Sequence, residues 1–108
     1  MLEALQELRL SRIFMNNDAF EWDEARAAAN YVKHGVSFEA ARDVFEDPFA
    51  IEQMDDRANY GEERWTIVGE ARGRLLFVAY TMRGEIIRII SARAAEPFEQ
   101  RAYHEQDT

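Results

Sequence analysis

Residues 74–93 read RLLFVAYTMRGEIIRIISAR and carry the clearest pattern in the chain. Arg74 to Met82 is rich in leucine, aromatic and β-branched residues, and Arg83-Gly84 supplies a turn, so a hairpin is predicted. Glu85 to Ala92 continues as EIIRIISA, with isoleucine at 86, 87, 89 and 90. Apolar residues of both parities predict a central strand covered on both faces. Arg88 interrupts that run, and a cation among buried side chains needs a partner, water or a ligand. Alternation puts Arg88 with Ile86 and Ile90, and Arg93 with Ile87, Ile89 and Ser91. A straight strand would therefore point the two arginines apart. A bend or bulge near Ser91-Ala92 is needed to bring them together.

The remaining elements fall around this hairpin. Phe20-Glu21-Trp22 reads as a short strand, and Asp23 as the N-cap of an alanine-rich helix from Glu24 to Val32. Lys33-His34-Gly35 closes that helix with two residues suited to its negative end and a glycine at C′. Ser37 caps a second helix whose Phe38, Ala41, Val44 and Phe45 share a face, and Asp47-Pro48 stops it. Residues 49–54 form a weak strand, 55–61 a polar loop, and Arg64 to Gly69 a firmer strand with Trp65 and Ile67 on one face. Pro97 opens a C-terminal helix over 97–105, with Phe98 and Ala102 or Tyr103 facing inward. Residues 2–14 suggest a further short helix broken by Asn16-Asn17-Asp18, and Met15 is a possible alternative start. Residues 1–15 are thus expected to be an N-terminal appendage and 16–108 one domain. The order β-α-α-β-β-β-β-α implies an α+β fold, a small antiparallel sheet packed against helices.

With 108 residues and 47% hydrophobic content, the chain can build a core without disulfide or metal support, and it has no cysteine. The first ten residues, with an acid at position 3 and no long apolar run, do not form a secretory signal. The longest clean apolar run, Leu75 to Tyr80, is too short to span a bilayer, so a cytoplasmic protein with no membrane association is expected. Net charge is −8. Residues 39–63 hold nine acids against two arginines, a net of −7. Such a chain is poorly suited to non-specific nucleic-acid binding, which rests on phosphate neutralisation, but a local basic pocket and a basic partner both remain compatible with it.

Three constellations could carry chemistry. Lys33 and His34 sit at a helix end where they serve as a plain cap or could bind phosphate and move a proton. Arg64, Arg88 and Arg93 lie on three strand segments or their ends; each could pair with a carboxylate, or together they could hold phosphate. Tyr103 beside His104 reads first as packing. Two histidines and no cysteine make no metal site of usual spacing, and no cofactor motif is present.

Several separated blocks resemble the BrnT family. They are Phe20-Glu21-Trp22-Asp23, Asn30, Lys33 to Ala41, Val44 to Pro48, Gly61-Glu62-Glu63-Arg64, Gly73 to Leu76, and Arg88 to Arg93. The likeness covers about residues 20–104. It implies a ribonuclease toxin of a type II toxin–antitoxin pair, with a RelE-like α+β fold and no metal requirement. It also implies a small DNA-binding antitoxin similar to BrnA, a heterotetrameric complex, and contact with operator DNA only through that antitoxin. The family's site maps onto Lys33, His34, Arg64, Arg88 and Arg93, with Tyr103 as a substrate contact. On this reading His34 is the proton-transfer candidate, Glu62 or Glu63 could substitute as base, and the cations hold the scissile phosphate of an RNA. The competing expectation is a non-catalytic module that binds the antitoxin through the same cations and tunes operon repression.

Overall fold

The computed structural model describes residues 19–56 and 61–106; the helix expected over 2–14 and the appendage 1–15 lie outside the described residues. The strands are β1 (Phe20–Glu21), β2 (Ile51–Asp55), β3 (Arg64–Ala71), β4 (Arg74–Arg83) and β5 (Ile86–Ala94). The helices are α1 (Glu24–His34), α2 (Phe38–Asp43) and α3 (Pro97–Glu105), and a 3₁₀ turn, Val44–Glu46, extends α2. The strands form one sheet in the order β1-β5-β4-β3-β2. This is the expected α+β fold in the expected element order.

One edge departs from the antiparallel expectation. β2, β3, β4 and β5 pair antiparallel, whereas β1 runs parallel to β5, with Phe20 opposite Ile87 and Glu21 opposite Arg88. No hairpin joins β1 to its neighbour, so turn geometry does not set its direction.

The β4–β5 ladder contains a bulge. Tyr80 faces Ile89 and Ala79 faces Ser91, which leaves Ile90 without an opposite residue on β4. The extra residue flips the parity of everything after it. Ile87, Ile89 and Ala92 therefore all reach the core, while Arg88, Ser91 and Arg93 share the other face with Thr81, Ala79 and Phe77. The isoleucine-rich run is thus not a strand covered alike on both faces. Ile87 and Ile89 before the bulge and Ala92 after it share the buried face, while Ile86 is exposed beside the turn. The opposite face is covered at one end by α3 and, over Thr81, by the loop through Glu63.

Helices α1 and α2 pack on the buried face. Asp23 caps α1 by accepting from the Arg26 amide, and Gly35 ends it at φ 68°, a left-handed turn that favours glycine. Ser37 caps α2. Phe38, Ala41, Val44 and Phe45 face inward as expected. Edge-to-face rings extend through the core, Phe20 on Phe45 at 5.4 Å and Phe45 on Tyr80 at 5.0 Å.

Asn30, the buried polar residue of α1, completes the edge of β5 where β1 has ended. Its amide nitrogen donates to the carbonyls of Ala92 and Val36, at 2.9 and 3.0 Å, and its oxygen accepts from the Ala92 amide at 3.1 Å. One side chain thereby replaces a missing strand at Ala92 and pins the α1–α2 joint. Gly69 marks a second close approach. A Cβ there would lie 2.9 Å from Val44 Cγ1 and 3.0 Å from Ala50 Cβ, so the turn after α2 can pack directly on β3.

Asn30→Ala strands two carbonyls and one amide in the interior and is expected to cost about 3 kcal/mol, measurable by chemical denaturation of the variant against the parent. Gly69→Ala is expected to cost about 1–3 kcal/mol through overpacking. A thermal midpoint equal to the parent's would contradict that close approach.

Candidate functional site

Strand register builds a polar row across the open face. Glu21, Arg88 and Thr81 follow one another on β1, β5 and β4. Arg64 continues the row on β3, since Trp65 faces Tyr80, and Asp55 faces Arg64 on β2. Arg88 and Arg64 are thus two strand spacings apart, about 10 Å between backbones, with Thr81 between them. Long guanidinium side chains can close that gap onto one anion. Each arginine has a carboxylate beside it, Arg88 with Glu21 at 3.2 Å and Arg64 with Glu62 at 3.8 Å. Thr81 Oγ1 donates to the Glu63 carbonyl at 2.5 Å, which ties the loop carrying Glu62 and Glu63 to the row.

Arg93 reaches the same face by way of the bulge, two rows away, and is committed to architecture. It makes a two-pronged bond to Glu99, at 2.8 and 2.9 Å, and its guanidinium lies 4.1 Å from the centre of the Phe77 ring. Glu99 also accepts from the Glu96 amide at the start of α3. That helix does not dock by the apolar residues expected. Phe98 is 58% exposed and Ala102 is exposed, whereas Glu99 is only 7% exposed. Polar contacts hold the helix instead: Arg93 to Glu99, Tyr103 Oη to Asp47 at 2.7 Å, and Gln106 to the Phe49 carbonyl at 2.6 Å. Asp47, anticipated only as a helix stop, also accepts from the amides of Phe49 and Glu70.

Tyr103 therefore stands with Asp47 and His104, away from the arginine row. Lys33 and His34 are exposed on the last turn of α1. Among the described residues, neither side chain bonds to Arg64, Arg88 or Arg93. The fold thus gathers the three arginines on one face and leaves Lys33, His34 and Tyr103 outside the row. Glu21 and Thr81 are the additions that strand register reveals; the alternation of β1 and β4 carried the signal, but only pairing shows what lies opposite. Asp23, just beyond Glu21, is held below the ordinary carboxylate range chiefly by the Arg26 amide, with a smaller pull from Arg88. No group of three or more His, Asp or Glu side chains among the described residues could hold a metal ion, and no helix among them is long and apolar enough to cross a membrane.

The different settings of the two β5 arginines predict different costs. Arg93→Ala leaves the nearly buried Glu99 carboxylate uncompensated and should lose about 2–4 kcal/mol. Arg88→Ala, whose partner Glu21 stays wetted, should lose under about 1 kcal/mol. Urea denaturation of both variants measures the contrast, and equal losses would refute it.

The family model described as the ribonuclease toxin BrnT of type II toxin–antitoxin systems matches residues 22–99. No curated protein matches the chain. The matched span begins just after β1 and ends within the first turn of α3, so it takes in Asn30, Arg88, Thr81, Arg64, the bulge and the Arg93–Glu99 pair, and leaves out Glu21 and Tyr103. The chain belongs to the BrnT family of ribonuclease toxins of type II toxin–antitoxin systems.

Proposed function

We propose that this protein cleaves RNA without a metal, on the open face of its sheet, with Arg64 and Arg88 holding the scissile phosphate. The observation that carries the proposal is the row Glu21–Arg88–Thr81–Arg64, which sets two cations within reach of one anion and a carboxylate beside each. In such a reaction the ribose 2′-oxygen loses its proton and attacks phosphorus. The bond to the 5′-oxygen breaks, that oxygen takes up a proton, and a cyclic phosphate remains. Charge grows on the phosphate oxygens during the attack, and fixed guanidinium groups stabilise that charge. Glu21, set by β1 pairing 3.2 Å from Arg88, is placed to accept the 2′ proton once RNA draws the guanidinium toward phosphate. Glu62 can serve the same end beside Arg64. This departs from the expectation for His34, whose place on the last turn of α1 suits docking of the RNA backbone alongside Lys33 better than proton transfer. Arg93 acts as a positioning residue through α3.

The antitoxin is read as BrnA-like, forming a heterotetramer that meets operator DNA through its own surface, and the toxin as acting in the cytoplasm, where its RNA is. The acid-rich segment 39–63 suits a basic patch on such a partner.

One observation favours the non-catalytic alternative: Arg64, Arg88 and Arg93 each already face a carboxylate, which lowers the field offered to phosphate. Inducible expression with and without the neighbouring small open reading frame separates the two. Arrest relieved by the neighbour, with RNA fragmented, is the expected result. Arg88→Ala and Arg64→Ala should each reduce cleavage by about 10²–10³-fold, and Glu21→Gln by about 10²-fold or more, while His34→Ala retains it. Full toxicity of both arginine variants would overturn the site. Intact toxicity with lost antitoxin binding, after alanine at Lys33, His34, Arg88 and Arg93, would favour the binding module.

A further inference from the structure

Beside the arginine row, α3 stands off the sheet and leaves a groove of about 590 Å³, within the range of small-molecule sites. Its floor is Thr66 and Gln53 on neighbouring strands, with Val68 and Phe77 one row further, and Phe98 stands at its wall. Thr66 lies two residues from Arg64 on the same face, about 7 Å along β3, roughly the reach from a phosphate to its own base. The groove's charges point to the kind of ligand. Arg93 lines it but is already bonded to Glu99, while Asp55, Asp56 and Glu96 give it an acidic rim. A phosphate would be repelled there. A neutral, flat group with N–H donors would not.

We propose that the groove is a nucleobase pocket, in which an unpaired RNA base bearing an exocyclic amino group stacks on Phe98 and bonds through its edge to Gln53 and Thr66. The proposal rests on the ribonuclease reading and deepens it by naming what sets sequence preference. Unpaired bases are read in this way, by stacking on an aromatic ring and by hydrogen bonds to their exposed edges. An aromatic side chain 58% exposed beside two amide- or hydroxyl-bearing residues supplies both parts. Adenine, guanine and cytosine can donate an amino hydrogen to the Gln53 side-chain oxygen, and uracil has no amino group to do so.

The test uses the full chain and short single-stranded RNAs with 2′-O-methyl riboses, which bind but are not cut. Each oligomer carries one abasic position or one base change, and affinity is read by fluorescence anisotropy. Loss of the recognised base should weaken binding to the parent about tenfold. Phe98→Ala should lose the same factor on the intact oligomer and become indifferent to the abasic one. Gln53→Ala should erase the preference over uracil. Phe98 is exposed, so an unchanged thermal midpoint is expected in that variant. If the parent binds intact and abasic oligomers equally, the pocket is wrong while the arginine site stands. If the parent binds no RNA, the ribonuclease reading falls and takes the pocket with it. If Phe98→Ala keeps RNA affinity and loses the antitoxin, the groove belongs to the protein partner and the proposal is overturned.

Discussion

The single extra residue at Ile90 sets what β5 can do for the molecule. A strand without it would send Arg88 and Arg93 to opposite faces, and one of them would enter the core among Ile87, Ile89 and Ala92. Burying an unpaired guanidinium costs far more than a bulge does. With the bulge, all three apolar residues reach the core and both arginines reach the open face. Bulges also leave backbone groups to be satisfied, and β1 stops at Glu21, short of Ala92. The Asn30 amide fills that place, making both hydrogen bonds that a further strand residue would have made. Bulge and amide clamp thus form one device, joining the helical layer to the strand that carries the arginines.

At the other end of β5, polar contacts take over from apolar packing. α3 has Glu99 on its inward side, and its hold on the sheet is the Arg93–Glu99 pair, stacked on Phe77. Tyr103 on Asp47 and Gln106 on the Phe49 carbonyl fix its far end. A helix docked this way stands off the sheet and leaves a groove beneath it, where an apolar face would have sunk onto Val68 and Phe77. It also leaves Phe98 largely in water, since the residue next to an inward Glu99 is turned about 100° from the contact, at the wall of the groove. The groove beside the arginine row is therefore a result of how the helix is held.

Electrostatics explain how a chain of net charge −8 can present cations usefully. Arg64 and Arg88 are in register on one face, and each guanidinium has a carboxylate beside it. Pairs as wetted as Arg88 with Glu21 are worth little in stability, so on the proposed reading a phosphate competes for the guanidinium at small cost. The pair between Arg93 and Glu99 is different, because Glu99 is nearly buried and tied to the helix start. Exchanging that carboxylate for a phosphate would dislodge α3. Burial of the partner acid thus commits Arg93 to the scaffold, while Arg64 and Arg88 keep the wetted partners on which the proposed phosphate site depends.

Local signals were enough for the elements themselves. Asp23, Gly35, Ser37, Pro48 and Pro97 mark helix ends by capping chemistry that needs only neighbours in sequence, and the strands follow from β-rich runs between turns. The resemblance in separated blocks, from Phe20 to Arg93, pointed to the family that residues 22–99 match. Three arginines were legible as a cluster only on condition of a bend or bulge near Ser91-Ala92; it lies at Ile90, one residue before. What the sequence could not decide were relations across the fold. The parallel pairing of β1 depends on no hairpin, and Asn30 reads as an ordinary helix residue until Ala92 is beside it. Glu99 looks like a surface acid until Arg93 meets it, and Phe98 like a core residue until that pair turns the helix. Lys33 and His34 suggested chemistry by type, yet their distance from the arginine row is set by where α1 ends against the sheet. Capping, turns and alternation are written in neighbouring residues. That Arg88 and Glu21, 67 residues apart, become partners is decided only when β1 and β5 come into register.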